Sequence, residues 1–118
     1  MIILAQIHEH VLYNEIQAMH HTPEDFSEGD LGERIENFPY YNLISQFDLT
    51  LLFQAEFSLD LDLVEEYAAL ILENGIENMP PIVIDDNFSI IDGIHRLNAM
   101  ILCGILKADL YMGTRMAL

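Results

Sequence analysis

Basic side chains are the scarcest resource of this chain: four lysines and arginines stand against 20 aspartates and glutamates in 118 residues, a formal net charge of −16. Contacts to nucleic-acid phosphates are made mainly by Lys and Arg, so DNA or RNA is not expected as a direct ligand. Cysteine is almost as rare. Cys103 stands alone, which rules out an internal disulfide, and the first residues lack the basic and apolar segments of a secretory signal, so a cytoplasmic location is expected. Charges interrupt every apolar stretch well before the roughly 20 residues of a membrane span, and no membrane partner is expected. Internal repeats and low-complexity segments are missing as well.

What remains is 52 % apolar, enough in 118 residues for one core and hardly two, so residues 1–118 read as a single domain. The acidity is uneven. Residues 1–79 hold 16 acids and one base, Arg34, whereas residues 80–118 hold four acids and three bases, Arg96, Lys107 and Arg115.

Ile3, Ile7 and Val11 with Leu12, Ile16 and Met19 recur at three- and four-residue intervals, which predicts an amphipathic helix over 3–19. Thr22, Pro23, Glu24 and Asp25 form a helix-start signature for a short turn ending near Gly29, and 31–42, which contains Pro39, reads as loop or short helix. From Leu49 to Phe57 apolar residues alternate as in a half-buried strand, with a helix running on from Tyr41 as the competing reading. "SLDLDLVEEYAALILENG" predicts a helix capped at Ser58 or Asp60, buried along Leu63, Val64, Tyr67, Ala68 and Ile71, and stopped by Gly75. "IVIDDNFSII" predicts a hairpin turning at Asp86 and Asn87. A helix from Ile94 to Cys103, stopped by Gly104, and a last strand burying Ala108, Leu110 and Met112 complete the pattern.

The stretch "DGIHR", Asp92 to Arg96, lies where the second hairpin strand runs into that helix. Backbone N–H groups at a helix start point forward without intrahelical partners, and the dipole adds roughly half a positive charge, so such a turn can receive an anion. Gly93 would let a phosphate approach the backbone, Arg96 would supply a forked donor and His95 a titratable one. The competing reading is structural: Asp92 caps the helix, Gly93 makes a tight turn and Arg96 neutralises a neighbouring carboxylate.

The span "LILENGIENMPPIVIDDNFSIIDGIHRLNAMILCGILKADLYM" resembles the ParB N-terminal / sulfiredoxin-like domain family in the order and spacing of its helix ending in "NG", its "PIVI" strand, its hairpin and its "DG-x-HR-x-x-A" turn. The resemblance runs from about Asp60 to Met112. It implies an α/β (α+β) fold: a compact core over 58–113 preceded by a mainly helical acidic extension over 1–57. Members of the superfamily include CTP-binding partition proteins, an ATP-using sulfinic acid reductase, free-serine kinases and ParB-like nucleases. The implied ligand is a nucleoside triphosphate or diphosphate, ATP or CTP, with its phosphates at Gly93, Ile94, His95 and Arg96, and the facing loop of the pocket is 74–81. NTP hydrolysis, or phosphotransfer to a small molecule or protein, is the chemistry implied.

Three departures narrow that transfer. Ile94 stands where sulfiredoxin carries its catalytic Cys, which sets reductase chemistry aside, and Cys103 reads as a small apolar residue. No basic helix-turn-helix follows the last strand, which sets partition aside. Residues 1–57 carry no feature of the family.

Mg²⁺ would be held by nucleotide phosphates and one or two carboxylates, and phosphoryl transfer would require a base, for which Glu77 and Asp92 are the candidates. Asp92 has a competing role as helix cap. "HEH" (His8, Glu9, His10) and "HH" (His20, His21) hold four of the five histidines, but ligands at i and i+2 on a helix point to different sides, so solvated or capping histidines and no metal site are expected. The acid-rich segments from Glu24 to Glu36 and from Asp60 to Glu66 read as a solvated face, or as an imitation of nucleic-acid charge that occupies a basic, nucleic-acid-binding protein, as small inhibitors of phages and mobile elements do. A nucleotide-binding protein and an acidic interaction protein are thus the two readings carried forward.

Overall fold

In a computed structural model of the chain, residues 1–19, 34–52, 59–77 and 79–118 are described. The fold is α+β. Among the described residues five strands, β1 (Ile3–His8), β2 (Tyr40–Asp48), β3 (Ile82–Ile84), β4 (Ile90–Asp92) and β5 (Lys107–Thr114), form one mixed sheet in the order β1-β2-β5-β3-β4. All neighbours are antiparallel except β3 and β5. The described residues contain three helices, α1 (Glu9–Met19), α2 (Leu61–Asn74) and α3 (Ile94–Leu102), and a 3₁₀ turn at Leu49–Leu51.

Two apolar layers flank the sheet, divided by the two-residue period of its strands. Ile82, Ile84 and Ile90 pack with Val64, Tyr67, Ala68 and Ile71 of α2 and with Leu97 and Met100 of α3. Val83 and Ile91, pointing the other way, pack with Leu12 and Ile16 of α1 and with Ile35, Phe38 and Tyr41. Tyr41 is fully buried and donates its hydroxyl to the Ile35 carbonyl at 2.7 Å; burial, with Glu9 and Asp85 adding negative potential, pushes its ionisation far up.

The C-terminal half follows its sequence pattern. Asp60 caps α2, its carboxylate accepting from the N–H groups of Asp62 and Leu63 at 3.1 and 3.2 Å, an arrangement worth about 1 kcal/mol. α3 ends in paired bonds from Gly104 N–H to Ile101 and from Ile105 N–H to Met100, with Gly104 left-handed at φ 78°. In the hairpin the left-handed residue is Phe88 (φ 66°) rather than Asp86 or Asn87. The Asp85 carboxylate accepts from the N–H groups of Asn87 and Ser89, and the Phe88 ring sits edge-on to Phe47 at 5.3 Å, contacts that offset the backbone cost.

The N-terminal half departs from expectation. The helix expected over 3–19 is a strand through His8 followed by a helix from Glu9. Ile7 packs under α1, but Ile3 and Leu4 are exposed, and what holds 3–8 extended is pairing with β2, including a Gln6 to Asn42 side-chain bond of 2.8 Å. β2 itself occupies part of the segment read as loop, and the strand expected from Leu49 begins as a 3₁₀ turn capped by Asp48. The helical turn expected from Thr22 to Gly29 and the remainder of the 49–57 strand from Phe53 lie outside the described residues. Two of the five strands therefore come from 1–57, which corrects the expectation of a mainly helical extension. Among the described residues no helix is long and apolar enough to cross a membrane.

Candidate functional site

The "DGIHR" turn forms where expected: β4 ends at Asp92, Gly93 is the N-cap of α3, and Ile94 opens the helix. Gly93 is left-handed at φ 102°, a conformation that costs other residues roughly 1–2 kcal/mol. Its missing side chain also makes room. A Cβ there would lie 3.0 Å from Arg96 Nη2 and 3.3 Å from the Ile82 Cα.

The approach that glycine opens is thus occupied by the arginine one turn along. Arg96 is fully buried, as is Asp92, and its Nη2 donates to Asp92 Oδ2 at 2.9 Å and to the Pro81 carbonyl at 3.1 Å. The pair is an i, i+4 ion pair straddling the strand-to-helix corner, and the second bond ties the segment before β3 to it. Ile94 belongs to the core at 3 % exposure. His95, 9 % exposed, accepts the backbone N–H of Asp60 on Nε2 at 3.0 Å, which leaves its ring proton on Nδ1 and joins the starts of α2 and α3. The residues expected to face a phosphate accordingly point into the protein.

Of the two candidate bases, Glu77 is exposed and Asp92 is inside the ion pair. Glu77 lines a cleft of about 390 Å³ together with Pro80, Pro81, Gln46, Met100 and Asp109, and none of Asp92 to Arg96 borders it. The charged side chains described around that cleft are both carboxylates, Glu77 and Asp109, a poor lining for a polyphosphate. Asp109 is held there by Gln46, whose backbone N–H and side-chain amide both donate to Asp109 Oδ1, at 2.8 and 3.2 Å, across a bulge in the β2–β5 pairing. Gln46 is left-handed at φ 48°. Sequence reading missed this element because a bulge is defined by its partner strand.

The remaining candidates divide in the same way. Cys103 is half-buried, its thiol donating to the Ala68 carbonyl at 3.6 Å. His20 and His21 lie outside the described residues. His8, Glu9 and His10 do not lie on one helix: β1 ends at His8 and α1 begins at Glu9, and this junction brings their ligating atoms within 4.8 Å of one another.

Comparison of the chain with protein-family models, with curated proteins and with solved structures yields no match.

Proposed function

We propose that this chain is an acidic interaction protein that occupies a basic protein surface, built on a ParB/sulfiredoxin-like core whose "DGIHR" turn serves folding rather than catalysis. The observation that carries the reading is the burial of Arg96 against Asp92. With that cation turned inward, the described residues leave few at the surface. Arg34 is half-buried and bonded to the Ile90 carbonyl, Arg115 lies 3.7 Å from Asp86, and Lys107 is exposed. Against them, Asp62, Glu65, Glu66 and Glu73 are exposed along α2, next to exposed Leu61 and Leu72. Such a face presents charge of one sign at high density with apolar anchors, which suits a basic, nucleic-acid-binding partner.

Two measurements test this against nucleotide binding. Thermal unfolding with millimolar ATP, ADP, CTP or GTP and Mg²⁺ is expected to show no shift; a nucleotide at about 100 times its dissociation constant would add roughly 2.7 kcal/mol, and such a gain would overturn the reading. Affinity capture with the native chain, and with a variant carrying Asp62→Asn, Glu65→Gln, Glu66→Gln and Glu73→Gln, is expected to recover a basic protein with the former alone. That protein, once purified, should bind more weakly as salt rises and be displaced by DNA. Equal capture by both chains would count against the α2 face.

A further inference from the structure

We propose that His8, Glu9 and His10 form a surface site for a divalent metal ion of the zinc class at the junction of β1 and α1. On a continuous helix two histidines two positions apart diverge. Here the backbone changes from strand to helix between them, and the two Nδ1 atoms approach to 2.6 Å, with ring centroids 4.4 Å apart. Glu9 Oε1 lies 3.9 Å from His8 Nδ1, and one ligand atom from each of the three residues falls within a 4.8 Å cluster.

Those distances bracket what a zinc ion requires. With Zn–N and Zn–O bonds of about 2.0–2.2 Å and tetrahedral angles, donor atoms stand about 3.3 Å apart. The imidazole nitrogens need to open by about 0.7 Å and the carboxylate to close by about 0.6 Å, motions open to side chains at the surface. His8 and His10 are both exposed, with the His8 side chain 46 % accessible, so an ion can enter and water can complete its coordination.

The junction is also held in place. Glu9 N–H donates to the Pro39 carbonyl at 3.1 Å, His8 pairs with Tyr40 in the β1–β2 register, and the His8 ring stands edge-on to Tyr40 at 5.8 Å. The donors therefore meet before any ion binds, which lowers the ordering cost. The start of α1 places positive potential beside the site, and the Glu9 carboxylate opposes it. Two imidazoles and one carboxylate select a borderline transition metal over Mg²⁺ or Ca²⁺, whose preferred ligands are all oxygen. A bound ion would pin the edge strand β1 to α1.

The test is calorimetric titration with Zn²⁺ of the full chain carrying His20→Gln and His21→Gln, which removes the other histidine pair, and of the same chain with His8→Gln and His10→Gln added. The first is expected to bind one Zn²⁺ and to gain thermal stability from it. Its long-range ¹H–¹⁵N spectra are expected to show both Nδ1 atoms metallated and both ring protons on Nε2. Partners of metal ligands outside the coordination shell already contribute about 10- to 100-fold to affinity, so loss of both imidazoles is expected to weaken binding by at least about 100-fold. Far-UV circular dichroism of the second chain checks that it folds. Undiminished Zn²⁺ affinity in the second chain, no binding by the first, or ligation through Nε2 would each overturn the proposal.

Discussion

Replacing Arg96 by methionine tests most directly whether the "DGIHR" turn is a folding device. Both partners of its ion pair are fully buried, and the guanidinium also holds the Pro81 carbonyl. Met follows a similar path through the core but leaves the Asp92 carboxylate without its cation, and breaking a buried pair from one side costs about 3–5 kcal/mol. At about 4 °C per kcal/mol for a chain of this size, the midpoint is expected to fall by about 12–20 °C. Asp92→Leu strands the guanidinium instead and is expected to cost a similar amount. The double variant Asp92→Leu, Arg96→Met removes both charges and is expected to return to within about 1 kcal/mol of the parent, because an apolar replacement of a buried pair is often close to neutral. Thermal and urea unfolding of the four proteins, followed by circular dichroism, give the coupling energy directly, expected to be about 5–9 kcal/mol in magnitude. Midpoints of the single variants within about 2 °C of the parent, or a double variant that loses the sum of the two singles, would refute the argument.

Gly93→Ala combines left-handed backbone strain with a 3.0 Å approach to Arg96 Nη2 and 3.3 Å to the Ile82 backbone; a loss of about 2–3 kcal/mol is expected in urea unfolding, whereas Gly104→Ala, with open space around it, is expected to lose only the backbone cost of about 1–2 kcal/mol. The Asp48 carboxyl accepts from the Thr50 hydroxyl and N–H, which lower its pKa below the ordinary 3.8, so its contribution to stability is complete above that value and is lost as pH falls through the lower folded one. Carboxyl ¹³C titration is expected to show this, with Thr50→Val moving Asp48 back toward its ordinary value. A fragment of residues 58–118, which contains the span 58–113 read from the sequence as a ParB-like core, is expected to lack a cooperative thermal transition; a sharp melt with dispersed amide resonances would show that the first 57 residues are dispensable.

How much of this was legible in the sequence depended on whether an element is specified by its own residues. α2 announces itself through the Asp60 cap, the buried row Val64, Tyr67, Ala68 and Ile71, and the Gly75 stop. The hairpin, α3 and β5 likewise carry their own periodicity and turn residues, and Arg96 as a partner for a neighbouring carboxylate was one of two open readings. β1 carries no such signal. Its Ile3, Ile7 and Val11 fit a helical spacing, and only the hydrogen-bonding edge of β2 draws it into the sheet. β2 follows Pro39 with the irregular run "YYNLISQFD" and contains a bulge whose stabilising partner, Asp109, is 63 residues away. The convergence of His8 and His10 was hidden for the same reason, because it depends on where β1 gives way to α1.

The same dependence explains why the acidic N-terminal half cannot be treated as an addition to a finished core. β5 lies at the centre of the sheet, bonded to β3 on one side and to β2 on the other. Without β2 its second edge would present a row of unpaired backbone groups from Lys107 to Thr114, the kind of open edge that invites association between chains. The second apolar layer is more dependent still. Val83, Ile91 and Tyr111 are its contributions from the C-terminal half, while Leu12, Ile16, Ile35, Phe38 and Tyr41 come from the first 57 residues. A chain that stopped at the resemblance would expose one whole face of its sheet. The N-terminal half therefore supplies a structural layer as well as acidic charge, and a partner reading the acidic face of α2 would meet a helix packed on the opposite side of the sheet that this layer completes.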